Sequence, residues 1–138
     1  MRKVLVFGSF DFLHAGHIYF FESAKKYGDF LVACVARDGN VERAKGRKPF
    51  FSEKERLRMV AALRVVDKAC LGSKSDFYAA ARREKPNVIV LGYDQPADEN
   101  AVHARLAELG LKTKVVRLKR GFFPGKYKSS KIREYLCT

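Results

Sequence analysis

Three short runs along this chain are apolar at almost every position rather than at every second one: KVLVF at residues 3–7, FLVACVA at 30–36 and NVIVLG at 87–92. A strand with one wet face alternates polar and apolar side chains. A continuous run needs cover on both faces, the condition of a strand inside a parallel sheet with helices on each side. Weaker strands are predicted at residues 67–71 and 114–118. Between the strands the period changes. Ile18, Phe21, Ala24 and Lys25 share one face of a helix predicted over 16–27 and stopped by Gly28. Ser52 and Glu55 form a capping box that opens a helix to about Leu63. Ser75 is expected to cap a helix ending before Pro86, a further helix spans 98–109 up to Gly110, and Ser129 or Ser130 caps a short last helix to Leu136. Residues 37–51 show no period, are rich in Gly and basic residues, and read as a loop. The alternation predicts an α/β fold: a Rossmann-like, doubly wound parallel sheet in three α/β/α layers, one domain over residues 1–138.

At 138 residues and 47% hydrophobic content, the chain can bury one good core. No apolar run approaches the roughly 18 residues that span a bilayer. The opening MRKVLVFGSFD is too briefly apolar for a signal peptide, so a cytoplasmic protein is expected. Cys34, Cys70 and Cys137 are widely spaced and make no CxxC pair, so no zinc or redox motif is expected. The 28 Lys and Arg against 15 Asp and Glu give a net charge of +13, which attracts anions. The basic residues are scattered along the chain, with no aromatic-interleaved stripe, helix-turn-helix or zinc spacing. Neither nucleic acid nor a membrane is therefore the expected partner.

In open parallel sheets, ligands bind beyond the carboxyl ends of the strands. Three segments leave those ends with unusual residues: GSFDFLHAGH, ARDGNVERAKGRKPF and GYDQP. In the first, Gly8 permits a tight exit and Gly16 lets backbone approach a ligand at a helix start, where free N–H groups and the positive dipole end favour phosphate. His14 and His17 are three apart, share a face of the incipient helix, and can both donate to phosphate oxygens. Asp11 either joins the site or caps the turn; as a metal set with the two histidines it has no second cluster behind it, so no protein-held metal is expected. Neither GxGxxG nor GxxxxGK[ST] is present.

Gly8-Ser9-Phe10-Asp11-x-x-His14-x-Gly16-His17 resembles the GTFDxxHxGH motif of the cytidylyltransferase-like nucleotidyltransferases, with the hydroxyl of Ser9 in place of the usual Thr. The segments Ala36-Arg37-Asp38-x-Asn40-Val41, Lys45-Gly46-Arg47-x-Pro49, Glu55-Arg56-x-x-Met59-Val60, Val66-Asp67-x-Ala69-x-Leu71-Gly72, Leu91-Gly92-Tyr93-Asp94-Gln95 and Ser129-Ser130-x-Ile132 follow in order. Together they are similar to the archaeal FAD synthase branch, the FMN adenylyltransferases. The resemblance implies a HUP-like nucleotidyltransferase fold and attack by a phosphate oxygen of FMN on the α-phosphorus of ATP. A phosphate monoester is already an anionic nucleophile. Such a site needs positioning and charge neutralisation rather than an acid–base dyad.

On the same resemblance, His14, His17, Lys45 and Arg56 would be catalytic. Gly8, Ser9, Phe10, Gly16, Gly92, Tyr93, Asp94, Ser129 and Ser130 would join the histidines in holding the nucleotide. Arg37, Asp38, Lys45 and Arg47 would face the acceptor. Lys128 and Lys131 would add charge around the last helix, and Phe122, Phe123 and Tyr127 offer aromatic faces to a flavin. The archaeal flavin enzymes that it resembles often carry a cysteine in the C-terminal segment before those serines; residues 121–128 of this chain hold none. The resemblance also implies substrate-bound Mg²⁺ and a homodimer. The residues alone leave open ATP or CTP, and FMN, glycerol 3-phosphate or phosphopantetheine as acceptor.

Overall fold

The structure, a computed structural model, describes residues 1–122, 126 and 129–137. Five parallel strands, β1 (Lys3–Gly8), β2 (Phe30–Val35), β3 (Lys68–Leu71), β4 (Val88–Leu91) and β5 (Lys114–Arg117), lie in the order β3-β2-β1-β4-β5. Six helices connect or follow them: α1 (Ala15–Lys25), α2 (Asp38–Lys45), α3 (Glu53–Ala61), α4 (Ala79–Glu84), α5 (Glu99–Glu108) and α6 (Ser129–Leu136). The apolar runs become the sheet centre because both of their faces are buried. Val4, Val6, Leu31, Ala33, Val35, Val88 and Val90 point to one side, where they meet Phe21 and Ala24 of α1 and Val60 of α3. Leu5, Phe7, Val32, Cys34, Ile89 and Leu91 point to the other, against Ala80 and Ala81 of α4 and Val102 and Leu106 of α5. The three-layer architecture is thus as the periodicity predicts.

The chain runs outward from β1 to β3, then returns to the centre and runs outward through β4 to β5. After β1 it crosses to the α1 face; after β4 it crosses to the α5 face. The two connections therefore diverge and open a crevice above adjacent carboxyl ends, the usual ligand position in such sheets.

Two local expectations are corrected. Residues 38–45 form helix α2 rather than loop, closed by Gly46 in the left-handed conformation at φ +78°. Only Val41 of that helix is buried, too little to leave an apolar period in the sequence. Ser75 does not cap α4, which begins four residues later. The Ser73 hydroxyl instead accepts from the Ser75 and Asp76 N–H groups and holds a turned loop ahead of the helix.

Candidate active site

The site begins with the way α1 starts. Its N-cap is His14, whose Nδ1 accepts from the Gly16 N–H at 3.1 Å, while Nδ1 of His17 accepts from the His14 N–H at 3.2 Å. This is a capping box made of imidazoles: two backbone donors that the helix cannot satisfy are taken up reciprocally. The rings lie 3.9 Å apart. Burial lowers the His14 pKa. Burial, followed by the nearby charges of His14 and Lys45, lowers that of His17 to about 3. Both rings are then neutral at physiological pH. A neutral imidazole whose Nδ1 accepts must carry its proton on Nε2. Capping therefore uses one nitrogen of each ring and leaves the opposite nitrogen with the proton.

The strand-to-helix connection is held by strained and close-packed residues. Phe10 and Phe12 have φ of 53° and 54°, in the left-handed region, and bracket Asp11. The Phe10 ring is buried against Phe21 at 4.9 Å and meets His17 edge-on at 5.9 Å. Gly8 makes room for it, since a Cβ there would lie 2.6 Å from the Phe10 ring. Asp11 is buried and accepts from the Phe50 and Phe51 N–H groups at 2.8 and 3.1 Å, fixing the turn before α3.

These elements enclose a cavity of about 810 Å³ above the β1 and β4 carboxyl ends. Gly8, Ser9, Phe10, His14, Gly16, His17, Lys45, Arg47, Gly92, Tyr93, Asp94 and Ser130 all line it, so the structure brings most of the expected site together. Lys45, from the end of α2, donates to the Ser9 hydroxyl at 2.9 Å. Its pKa is lowered by burial and by the Arg133 charge, while Asp11 pulls the other way. Phe122 lines the cavity and stacks on Tyr19 at 5.6 Å. Phe123, Tyr127 and Lys128 lie outside the described residues, and of Ser129 only the helical backbone is described. Lys131 pairs with Glu134 on α6 at 3.4 Å rather than reaching the cavity lining.

Arg56, Arg37 and Asp38 stand behind the cavity instead of lining it. Arg56 is wholly buried and donates to the Phe51 carbonyl, the Ser9 carbonyl at 2.6 Å and the Asp38 carboxylate at 2.7 Å. A guanidinium can be buried there because its fork is filled with acceptors. From behind the cavity it holds the Ser9 backbone in place. Arg37 donates to Glu53 at 2.7 Å and to the Gly72 carbonyl, and the other Glu53 oxygen accepts from the Asp38 N–H, so these residues tie α2 to α3.

Sequence reasoning placed Gln95 in the family-like segment but gave it no role. It accepts from the Gly92 N–H and donates to the Phe7 carbonyl, both at 2.7 Å, and so bridges β4 to β1 across the crevice floor. Arg117 donates to the Gly92 and Gln95 carbonyls at 2.8 Å and holds the same turn from β5. Glutamine in a polar turn leaves no pattern; only its place directly after Gly92-Tyr93-Asp94 could have pointed to it. Arg120 and Arg133 also line the cavity, and Asp94 is the acidic residue among its described lining. The arrangement is suited to a polyanion: two neutral N–H donors at a helix start, flanked by cations.

Comparison with known proteins agrees. The profile of the family described as cytidylyltransferase-like matches residues 5–135. A protein named FAD synthase from Methanohalophilus mahii is 48% identical over 118 residues, covering 86% of this chain and 82% of its own length. One of the same name from Ferroglobus placidus is 43% identical over 138 residues, covering 100% of this chain and 90% of its own. Among solved structures, the lipopolysaccharide core biosynthesis protein from Thermoplasma volcanium superposes with a TM-score of 0.83 at 41% identity, covering 88% of this chain and 98% of that one. Pantoate-beta-alanine ligase from Francisella tularensis, complexed with beta-gamma ATP and beta-alanine, gives a TM-score of 0.60 at 16% identity, covering 96% of this chain and 67% of that one. That likeness is one of fold alone.

Proposed function

The chain belongs to the cytidylyltransferase-like family, and from that premise we infer that it is an FMN adenylyltransferase, transferring the AMP moiety of ATP to FMN with release of pyrophosphate. The relatives named FAD synthase support the substrates. The observation that carries the chemistry is the imidazole capping box, which fixes both Nδ1 atoms on backbone and leaves the protons on Nε2 beside the cavity.

A phosphate oxygen of FMN forms the new bond to the α-phosphorus of ATP. The bond from that phosphorus to the bridging oxygen of the β-phosphate breaks, and pyrophosphate leaves with the electron pair. Charge on the equatorial oxygens is stabilised by donors already in place, and the Nε2–H groups of His14 and His17 are suited to that duty. Their neutrality is useful because they donate without first having to acquire a proton. Lys45, anchored on Ser9, and Arg47 would balance the leaving phosphates, with the start of α6 and Ser130 as a further anion-binding group. The nucleoside would lie toward Gly92 and Tyr93, with Asp94 toward the ribose hydroxyls. Among the described residues no group of three or more His, Cys, Asp or Glu is placed to hold a metal ion. Mg²⁺ is therefore proposed to arrive on the nucleotide phosphates, where it neutralises their charge.

The test is a grid of purified protein with Mg²⁺, ATP or CTP, and FMN, glycerol 3-phosphate or phosphopantetheine, with products separated by chromatography. FAD from ATP plus FMN is expected; a CDP-alcohol or no nucleotidyl product from any pair would overturn the reading.

A further inference from the structure

A second recess of about 510 Å³ opens beside the nucleotide cavity, toward the carboxyl ends of β2 and β3. Phe7, Gly8, Ala36, Asn40, Ala44 and Phe77 line both, so the two are lobes of one cleft meeting at the end of β1. Phe77 is 50% exposed, an unusual state for a phenylalanine inside a cleft. One face of its ring stacks on Phe7 with centroids 4.6 Å apart and planes at 27°. The rest faces the cleft.

The loop that carries Phe77 is fixed from α2. Arg37 donates to the Gly72 carbonyl at 2.7 Å, Asn40 to the Ser73 carbonyl at 2.9 Å, and Arg43 to the Lys74 carbonyl at 3.2 Å. Side chains spaced three apart on one helix face thus take three successive carbonyls. On the far side the Asp76 carboxylate accepts from the Tyr78 N–H at 3.0 Å and pairs with Arg82. A half-exposed aromatic ring on so restrained a loop is a preformed platform, and its ordering cost is met before any ligand arrives.

We propose that Phe77 is the stacking platform for the isoalloxazine ring of the acceptor, with the second lobe as the flavin pocket. This rests on the FMN adenylyltransferase reading above. A flat ring system with one hydrogen-bonding edge matches a recess walled by Phe77, Phe7, Ala36 and Ala44 and edged by Asn40 and Ser75. A glycerol phosphate would leave the aromatic wall unused. Arg37 then serves the acceptor as a positioning residue, through the Gly72 carbonyl rather than by contact. From Phe77 the shared lining leads past Gly8 to Lys45 and the histidines, where the FMN phosphate has to arrive.

The experiment compares KM values for FMN and ATP in wild type, Phe77→Ala and Phe77→Trp, with FMN binding followed by flavin fluorescence. Phe77→Ala should raise the FMN KM about tenfold and leave the ATP KM within about twofold, the effect of removing one aromatic stacking face. Phe77→Trp should restore the FMN KM and quench bound flavin more strongly than wild type. An unchanged FMN KM in Phe77→Ala would overturn the assignment while leaving the enzyme's function standing. Equal rises in both KM values that tryptophan does not repair would also overturn it, as loss of a structural contact. Wild-type protein that neither binds nor adenylylates FMN would remove the functional reading itself and the platform with it.

Discussion

Replacing His14 by asparagine keeps a side-chain acceptor near the position of Nδ1 and removes the Nε2–H group. Asparagine is a good N-cap, so His14→Asn should hold its unfolding free energy in urea to within about 0.5 kcal/mol of wild type. FAD formation should still fall about 100-fold or more, the usual cost of losing one preorganised donor to transition-state charge. His14→Ala loses the same activity and about 1 kcal/mol of stability besides. An alanine variant with normal turnover would show the pair to be a cap and nothing more. The pH profile is a second check. Burial keeps both histidines below their ordinary 6.5, His17 at about 3. The acid limb of kcat/KM in the free enzyme should therefore not fall at 6.5, where a solvent-exposed histidine would put it.

Helices α2 and α3 show how differently two adjacent elements can be written in one sequence. The start of α3 is explicit: Ser52 and Glu55 exchange bonds with each other's backbone at 3.2 and 3.1 Å. Helix α2 carries the end signals of a helix, Asp38 in its first turn, Arg43 and Lys45 in its last, and Gly46 after it. What it lacks is an apolar stripe, because its work is polar: Arg37, Asn40 and Arg43 hold a neighbouring loop. Hydrophobic period is blind to a helix of that kind. The sheet was legible for the opposite reason, since burial on both faces writes itself into almost every position of residues 3–7, 30–36 and 87–92. The site was half legible. The Gly8-to-His17 motif names its residues, but burial decides whether a charged side chain faces ligand or structure, and no local pattern marks Arg56 as buried or Gln95 as a bridge. Arg56→Met should cost about 3 kcal/mol or more in urea unfolding, because Ser9, Phe51 and Asp38 lose their shared partner. Arg56→Lys should recover little of it, since a single ammonium cannot fill a three-acceptor fork. A neutral effect of Arg56→Met on both stability and FMN turnover would contradict the positioning role.

Charge acts on the molecule as a unit. At +13, the protein should bind its polyanionic substrates more weakly as salt rises, with the KM for Mg·ATP increasing between low and physiological ionic strength. A KM independent of salt would count against a field-assisted site. Stability should fall in acid, most strongly through two groups. Glu84 is buried; burial pulls its pKa up, but hydrogen bonds from Lys68, Arg83 and Lys3 prevail and hold it at about 2 against an ordinary 4.5. Its contribution is present above 4.5 and is lost as pH falls toward 2. His17, lowered from 6.5 to about 3, must charge on unfolding, so stability is also lost as pH falls from 6.5 toward 3. Urea midpoints should therefore drop below pH 6.5 and further below 4.5; a flat profile from 6.5 to 4 would refute the His17 assignment, and no added loss between 4.5 and 2 would refute that of Glu84. The central claim is transfer of a nucleotidyl group to a flavin phosphate, and it is tested most directly with ATP labelled in turn at the α- and γ-phosphorus. With FMN and Mg²⁺, the α-label should appear in FAD and the γ-label in pyrophosphate. An α-label that never enters the flavin product, or a γ-label that does, would contradict the account.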